Sequence, residues 1–298
     1  NTELGDLFNV KDITLDDKNP DIPAGIDAII ITGPNSKFDQ KFLDNLKKYF
    51  DAGGSILLLT NPISVPLNTQ QPAENENSLS NFFADYGITV NPDIVYDLKD
   101  NNAINIQNSF FPVNYPFWIV ASPTSEHSSI LKNVKNLSEL WGSSLTIDSS
   151  KGKVIKLFKT SEYSNTMTFD TLNLSPNQDW KEKDSDKTIY LGAAVENDKS
   201  GRAVVIGDAK LFTDDADLAK QENNLEFAVG TIEWLTKDDA IASIKAKTSQ
   251  SAKFSLTSYQ STTLIVSSLA VPILVIIGLG GYRFYMRRKI VGKVYENE

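Results

Sequence analysis

The chain contains no cysteine and only one histidine, His127. The first absence removes disulfides, thiolate metal sites and a cysteine nucleophile. It leaves the compartment open, because many exported proteins also lack cysteine. The second leaves little scope for zinc chemistry or a histidine-dependent triad. Basic residues are scarce over most of the length. The 298 residues sum to a net charge of -9, but five basic residues against two acidic ones follow Tyr282, so the first 282 residues carry -12. Such a body lacks the clustered lysine and arginine that neutralise phosphates, which argues against nucleic acid as a partner. The glycine spacings of nucleotide-binding loops and the Gly-x-Ser-x-Gly elbow of hydrolases are missing too. No internal repeat is apparent.

What is present reads as a folded protein with a core: 41% hydrophobic and 22% charged residues. Strand-like and helix-like runs alternate. "FNVKDITL" (Phe8 to Leu15) alternates apolar and polar residues, and "IDAIIITGP" (Ile26 to Pro34) reads as a buried strand ending in a turn. A helix follows, with Phe38, Phe42, Leu46 and Phe50 on one face and Gly53-Gly54 as its stop. "SILLLTNP" is a second buried strand. This order predicts a right-handed crossover and a parallel sheet covered on both faces. After the polar loop 68–78, "LSNFFADYGI" predicts a short helix and "TVNPDIVYD" a strand. Residues 101–177 look like an irregular, β-rich insertion with short strands at "PFWIVA", "SSLTI" and "KVIKLFKT". "TIYLGAAVEN" and "GRAVVIGDA" restore the buried-strand pattern. "NNLEFAVGTIEWLT" (Asn223 to Thr236) is amphipathic, with Leu225, Val229, Ile232 and Leu235 at helical spacing.

The last stretch differs in kind. No charged residue occurs from Phe254 to Tyr282, and the 21 residues Thr262–Tyr282 would rise about 31 Å as a helix, the thickness of a bilayer's hydrocarbon core. Pro272, Gly278, Gly280 and Gly281 are better tolerated in membrane helices than in soluble ones. Tyr282, Phe284 and Tyr285 form an aromatic belt, with Arg283 beside it and Arg287, Arg288 and Lys289 just beyond. Core helices of soluble proteins rarely run this long with apolar residues all round. The expected organisation is an α/β domain over 1–246, a juxtamembrane connector over 247–261, a transmembrane helix over 262–282 that anchors the chain in a lipid bilayer, and a basic tail over 283–298. Positive charge after the span predicts a cytoplasmic C-terminus and an extracytoplasmic domain, although Lys245, Lys247 and Lys253 weaken the asymmetry. The chain begins with Asn1 rather than Met, so an upstream segment, with a first membrane helix, is expected.

Candidate chemistry is sparse. His127 lies in a polar "TSEHSS" turn beside Glu126, where an exposed loop histidine accounts for it. Asp208, Asp214, Asp215 and Asp217 cluster, but their spacing fails the calcium-loop pattern, and a solvated acidic loop explains them. The loops after the presumed parallel strands carry Asn35, Asn61 and Asp208 at the edge where such folds bind ligands. Asn136 and Asn173 open short Asn-x-Ser sequons. No catalytic residue, metal site or cofactor is assigned.

Taken together, "IDAIIITGP", "FLDNLKKYFDAGGSILLLTNP", "FFADYGITV", "GRAVVIGDAKLFTDD" and "NNLEFAVGTIEWLTKDDAIASIKAK", followed by one membrane helix and an Arg/Lys tail, resemble the GldG-like, gliding-motility-associated auxiliary components of ABC transport systems. The resemblance covers nearly the whole chain. It implies an extracytoplasmic α/β domain with a parallel-sheet, class I glutamine amidotransferase-like (Rossmann/flavodoxin-like) fold. It also implies anchoring in the inner (cytoplasmic) membrane beside an ABC-2-type permease and a cytoplasmic ATPase, with room for a second auxiliary subunit. The family's amidotransferase-like elbow carries cysteine, and this chain has none. Its frequent His-Pro pair is replaced by Ser122-Pro123. The resemblance therefore implies a non-catalytic auxiliary subunit that binds substrate or partner proteins. Two alternatives stay open: a stand-alone surface-anchored binding protein or adhesin, and a hydrolase using Asn61, Asp208 or His127.

Overall fold

The computed structural model describes residues 8–14, 21–106, 110–126, 129–132, 134–176, 180, 187–213, 223–237 and 258–295. The chain divides into two compact units, Asn1–Ala252 and Lys253–Glu298.

The first unit begins with β1 (Ala28–Thr32), α1 (Gln40–Asp51) and β2 (Ser55–Leu59). Strands β1 and β2 run parallel, Ala28 opposite Ser55 and Thr32 opposite Leu59. Helix α1 starts where Asp39 accepts a 2.7 Å bond from the Phe42 amide, and stops at Gly53, whose φ of +103° suits glycine. Its apolar stripe packs inward: Leu46 and Phe50 are buried, and Phe38 stacks on Phe42 with centroids 4.5 Å apart. Next come β3 (Ile63–Ser64), β4 (Ala73–Glu74), a 3-10 turn at Ala84–Tyr86, β5 (Ile88–Val90) and β6 (Asp93–Asp97). The run read as one strand is two, broken at Asn91-Pro92, because proline cannot donate to a ladder. The short helix expected before it is reduced to turns and that single 3-10 element. Residues 8–14, read as a strand, adopt no regular structure. The remaining elements are β7 (Asn101–Ile104), β8 (Val113–Pro123), β9 (Leu137–Leu140), β10 (Leu145–Ile147), β11 (Val154–Lys159), β12 (Ser164–Thr168), β13 (Tyr190–Glu196), β14 (Arg202–Ile206) and α2 (Asn223–Thr236).

Eight strands form the main sheet, in the order β1-β2-β14-β13-β11-β8-β7, with β9 also paired to β8. Only β1–β2 and β2–β14 are parallel; the pairings from β14 to β13 onward are antiparallel. The expected parallel, amidotransferase-like or Rossmann/flavodoxin-like fold is therefore wrong. The chain is mostly β, its mixed sheet curls as a half-barrel, and only three α-helices occur among the described residues. The difference lies at β13 and β14. Both are buried apolar runs, which reads as parallel strands, but only residues 197–201 connect them. Five residues can close a hairpin and cannot make a crossover. Asn197 builds that turn: its side-chain oxygen accepts from the Lys199 and Gly201 amides at 3.0 and 2.8 Å.

Burial on both faces comes from the helices. Ile56, Leu58, Ala203 and Val205 face α1, whereas Leu57, Leu59, Val204 and Ile206 face a cluster containing Phe227 and Leu235 of α2. Within α2 the buried residues are Asn224, Phe227, Ala228, Val229, Thr231, Ile232 and Leu235; of the expected stripe, Val229, Ile232 and Leu235 are buried, while Leu225 is 41% exposed. A third cluster is aromatic, with Tyr96, Tyr115, Phe117, Trp118 and Trp141.

The second unit contains α3 (Ser258–Tyr295), with Pro272 inside it. Its segment Val266–Phe284 has a mean hydropathy of 1.6, is unburied, and is long and apolar enough to cross a membrane. Arg287, Arg288 and Lys289 lie on this helix, but their side chains fall outside the described residues, as do His127, Asp214, Asp215 and Asp217.

Candidate functional site

The carboxyl ends of β1, β2 and β14 open into a cleft of about 80 Å³, lined by Gly33, Asn35, Asn61, Asn75, Trp141 and Lys210 among others. At Gly33 the backbone leaves β1 with φ +58°, and its amide still bonds to Leu59 O at 3.0 Å. Asn35 is exposed near the mouth. Asn61 is buried and fully engaged. Its Nδ2 donates to Trp141 O (3.2 Å) and Gly207 O (3.0 Å), and its Oδ1 accepts from the Ala209 amide. The amide thus ties the end of β2 to the loops after β9 and β14. Asn75 seals the floor by donating to Pro34 O (2.7 Å) and Asn61 O (2.8 Å). Lys210 reaches over the Trp141 ring at 5.2 Å and donates to Val65 O at 2.8 Å.

Of the three residues marked at the ligand edge, Asn35 and Asn61 meet in this cleft. Asp208 does not line it. Its carboxylate is fully buried and accepts from the Leu140 amide (2.8 Å) and the Lys210 amide (2.7 Å). Asp208 thus holds β9 from one end, and Asn224 holds it further along. The Asn224 amide accepts from Ser138 N and donates to Ser138 O, both at 3.0 Å, and to Leu211 O at 3.1 Å. The two segments that stand out in the sequence, "GRAVVIGD" and "NNLEFAVGTIEWL", therefore converge on one four-residue strand.

Sequence reasoning missed Glu139, in the middle of that strand. It is fully buried, and neither carboxyl oxygen has a hydrogen-bond partner among the described residues. Burial pushes its carboxyl well above the ordinary glutamate range, and the charge of nearby Asp208 adds to the rise. A Cβ on Gly142 would come within 2.3 Å of Glu139 Oε2, so Gly142 makes room for the acid. Only the acidic residue within "LSEL" hinted at this, and the sequence pattern gave no reason to bury it.

A wider groove of about 320 Å³ lies between β6, the start of β10, β12 and the start of β13, with Asn91, Asp93, Ser144, Thr166 and Tyr190 on its walls. Asp93 accepts from Ser144 N (2.8 Å) and Ser144 Oγ (2.6 Å); burial raises its carboxyl, and those bonds oppose the rise. These polar groups are satisfied mainly by one another. No group of three or more metal-ligating side chains occurs among the described residues. Asn61 and Asp208, offered for a hydrolase, spend their side chains on backbone groups. The cleft is the size of a few waters and presents amides, an indole and one ammonium.

Comparison with known proteins supplies what the clefts do not. Residues 1–236 match the auxiliary-component family described as "ABC-type uncharacterized transport system". The chain belongs to that family. No curated protein matches it. Among solved structures, the mmIFT52 N-terminal domain is similar at 20% identity over 72% of this chain and 80% of that one, with a TM-score of 0.49. A cold-adapted β-galactosidase from Rahnella sp. R3 matches at 6% identity over 70% of this chain and 22% of that one, with a TM-score of 0.35. Neither structure is close enough to support a functional argument. Membership of the auxiliary family suggests a supporting role in transport and partnership with transporter components.

Proposed function

We propose that the chain is a membrane-anchored, non-catalytic auxiliary subunit of an ABC-2-type transporter, of the GldG-like, gliding-motility-associated kind. The observation that carries this reading is the order of its parts: family sequence over residues 1–236, then an apolar helix long enough to span a bilayer. The β-rich domain lies outside the cytoplasm and binds substrate or a partner protein, while Arg283, Arg287, Arg288 and Lys289 hold the C-terminus inside. Tyr282 and Pro272 belong to the anchoring helix. Asn35 and Asn61 mark one edge that a ligand could reach, and Asp208 supports that edge from within. The partners are the permease and its cytoplasmic ATPase, with a second auxiliary subunit accommodated beside them. Capture of the full chain from membranes in mild detergent is expected to bring down both permease and ATPase. Recovery with neither overturns the reading.

A further inference from the structure

Phe110 is 99% exposed and Phe111 60%, at the end of the hairpin arm that leads into β8. A nearly naked phenylalanine is unusual on an acidic surface, and two in succession followed by Pro112 form an apolar point rather than scattered exposure. The surrounding sequence is equally distinctive. No charged residue occurs between Asp100 and Glu126. The buried half of β8 accounts for part of that stretch. It does not account for Ala103, Asn105, Pro112 and Asn114, which are exposed and uncharged.

We propose that the Phe110–Phe111 tip inserts into the interfacial layer of the lipid bilayer. This inference rests on the membrane-anchored reading above. Charge decides between occupants. A body carrying -12 is repelled by anionic headgroups, so the region able to approach them is one without charge, and this arm is such a region. Aromatic side chains on uncharged loops suit the headgroup boundary, where rings bury and neighbouring amides stay wet.

The absence of cysteine makes the test clean. Full-length Phe110→Cys and Lys199→Cys, the second in the exposed β13–β14 turn, are each labelled with an environment-sensitive fluorophore. Both are reconstituted into phosphatidylcholine vesicles with and without phosphatidylglycerol. The expected result is a blue-shifted label at position 110, several-fold less quenched by iodide than in detergent and quenched by doxyl lipids, with position 199 unchanged. In pure phosphatidylcholine, protection at 110 should be insensitive to salt, since the tip itself carries no charge. If the chain floats with vesicles but position 110 stays as accessible as 199, the tip inference fails while anchoring stands. Protection in native membranes but not in pure lipid also overturns it, by assigning the tip to a protein partner. If the chain does not float with vesicles at all, the anchored reading fails first and takes this one with it.

Discussion

The two ends of the main sheet are held by different means. At the β1–β2–β14 end, alternate side chains of β2 and β14 go to opposite faces, and a helix on each face removes them from water. Apolar burial of this kind is non-directional and distributed over many residues. At the β9 end the fastening is polar and local. A four-residue strand is gripped by Asp208 through Leu140 N and by Asn224 through both backbone groups of Ser138, and between them Glu139 has no hydrogen-bond partner among the described residues. The comparison teaches that the first end should lose stability gradually with side-chain volume, whereas the second should fail one hydrogen bond at a time.

The largest effect is expected at the apolar end. Phe50 is fully buried and packs edge-on against Phe83 and Tyr86, with centroids 5.3 and 4.9 Å away. Phe50→Ala should cost about 3–5 kcal/mol, read as a lower urea midpoint, because the lost transfer energy adds to an unfilled cavity. A loss under about 1 kcal/mol would mean that α1 collapses onto the sheet without it. At the polar end, Asn224→Ala leaves Ser138 N, Ser138 O and Leu211 O without their side-chain partner and should cost about 2–3 kcal/mol. Its signature is local: amide exchange should quicken at Ser138 and Leu140 ahead of β2 and β14. Uniform acceleration across the sheet would erase the contrast between the two ends.

The apolar end was largely legible. Helix α1, with its glycine stop, could be read from residues 38–54, and the apolar runs at β1, β2, β13 and β14 all read as strands, although β1 is half-exposed rather than buried. The parallel pairing of β1 with β2 followed from the strand-helix-strand order and holds, as it does for β14 against β2. The antiparallel run of β13 was not legible, because hydrophobicity reports burial on both faces and says nothing about polarity of pairing. The five-residue connection at Asn197 carried that information. The polar end was illegible for a different reason. Leu225 reads as part of the buried stripe with Val229, Ile232 and Leu235, but Asn224 takes its place there. Asp208 looked like a ligand-edge carboxylate, although its partners, Leu140 N and Lys210 N, are backbone groups that no side-chain pattern reveals. Glu139 was visible only as one acid, with nothing to say it is buried, since a single acid in a short strand ordinarily faces water.

Glu139 also provides the finest test of the contrast, since at this end one proton should matter. Below the ordinary glutamate value of 4.5 the carboxyl is protonated in folded and unfolded chains alike and contributes no pH dependence. As pH rises above that value the unfolded chain releases the proton, while the buried group keeps it, because burial and the Asp208 charge hold its folded value higher. The unfolded state then binds fewer protons than the folded one, so stability falls with rising pH until the folded value is passed and stays constant beyond it. Glu139→Gln removes the titration but preserves shape. Thermal unfolding should therefore show the variant above the parent at pH 7 to 8, with the two curves meeting near pH 4. Parallel curves at every pH would mean that Glu139 is ionised in the folded protein and that a counter-charge reaches it, in which case the β9 end is held by an ion pair rather than by hydrogen bonds to neutral backbone.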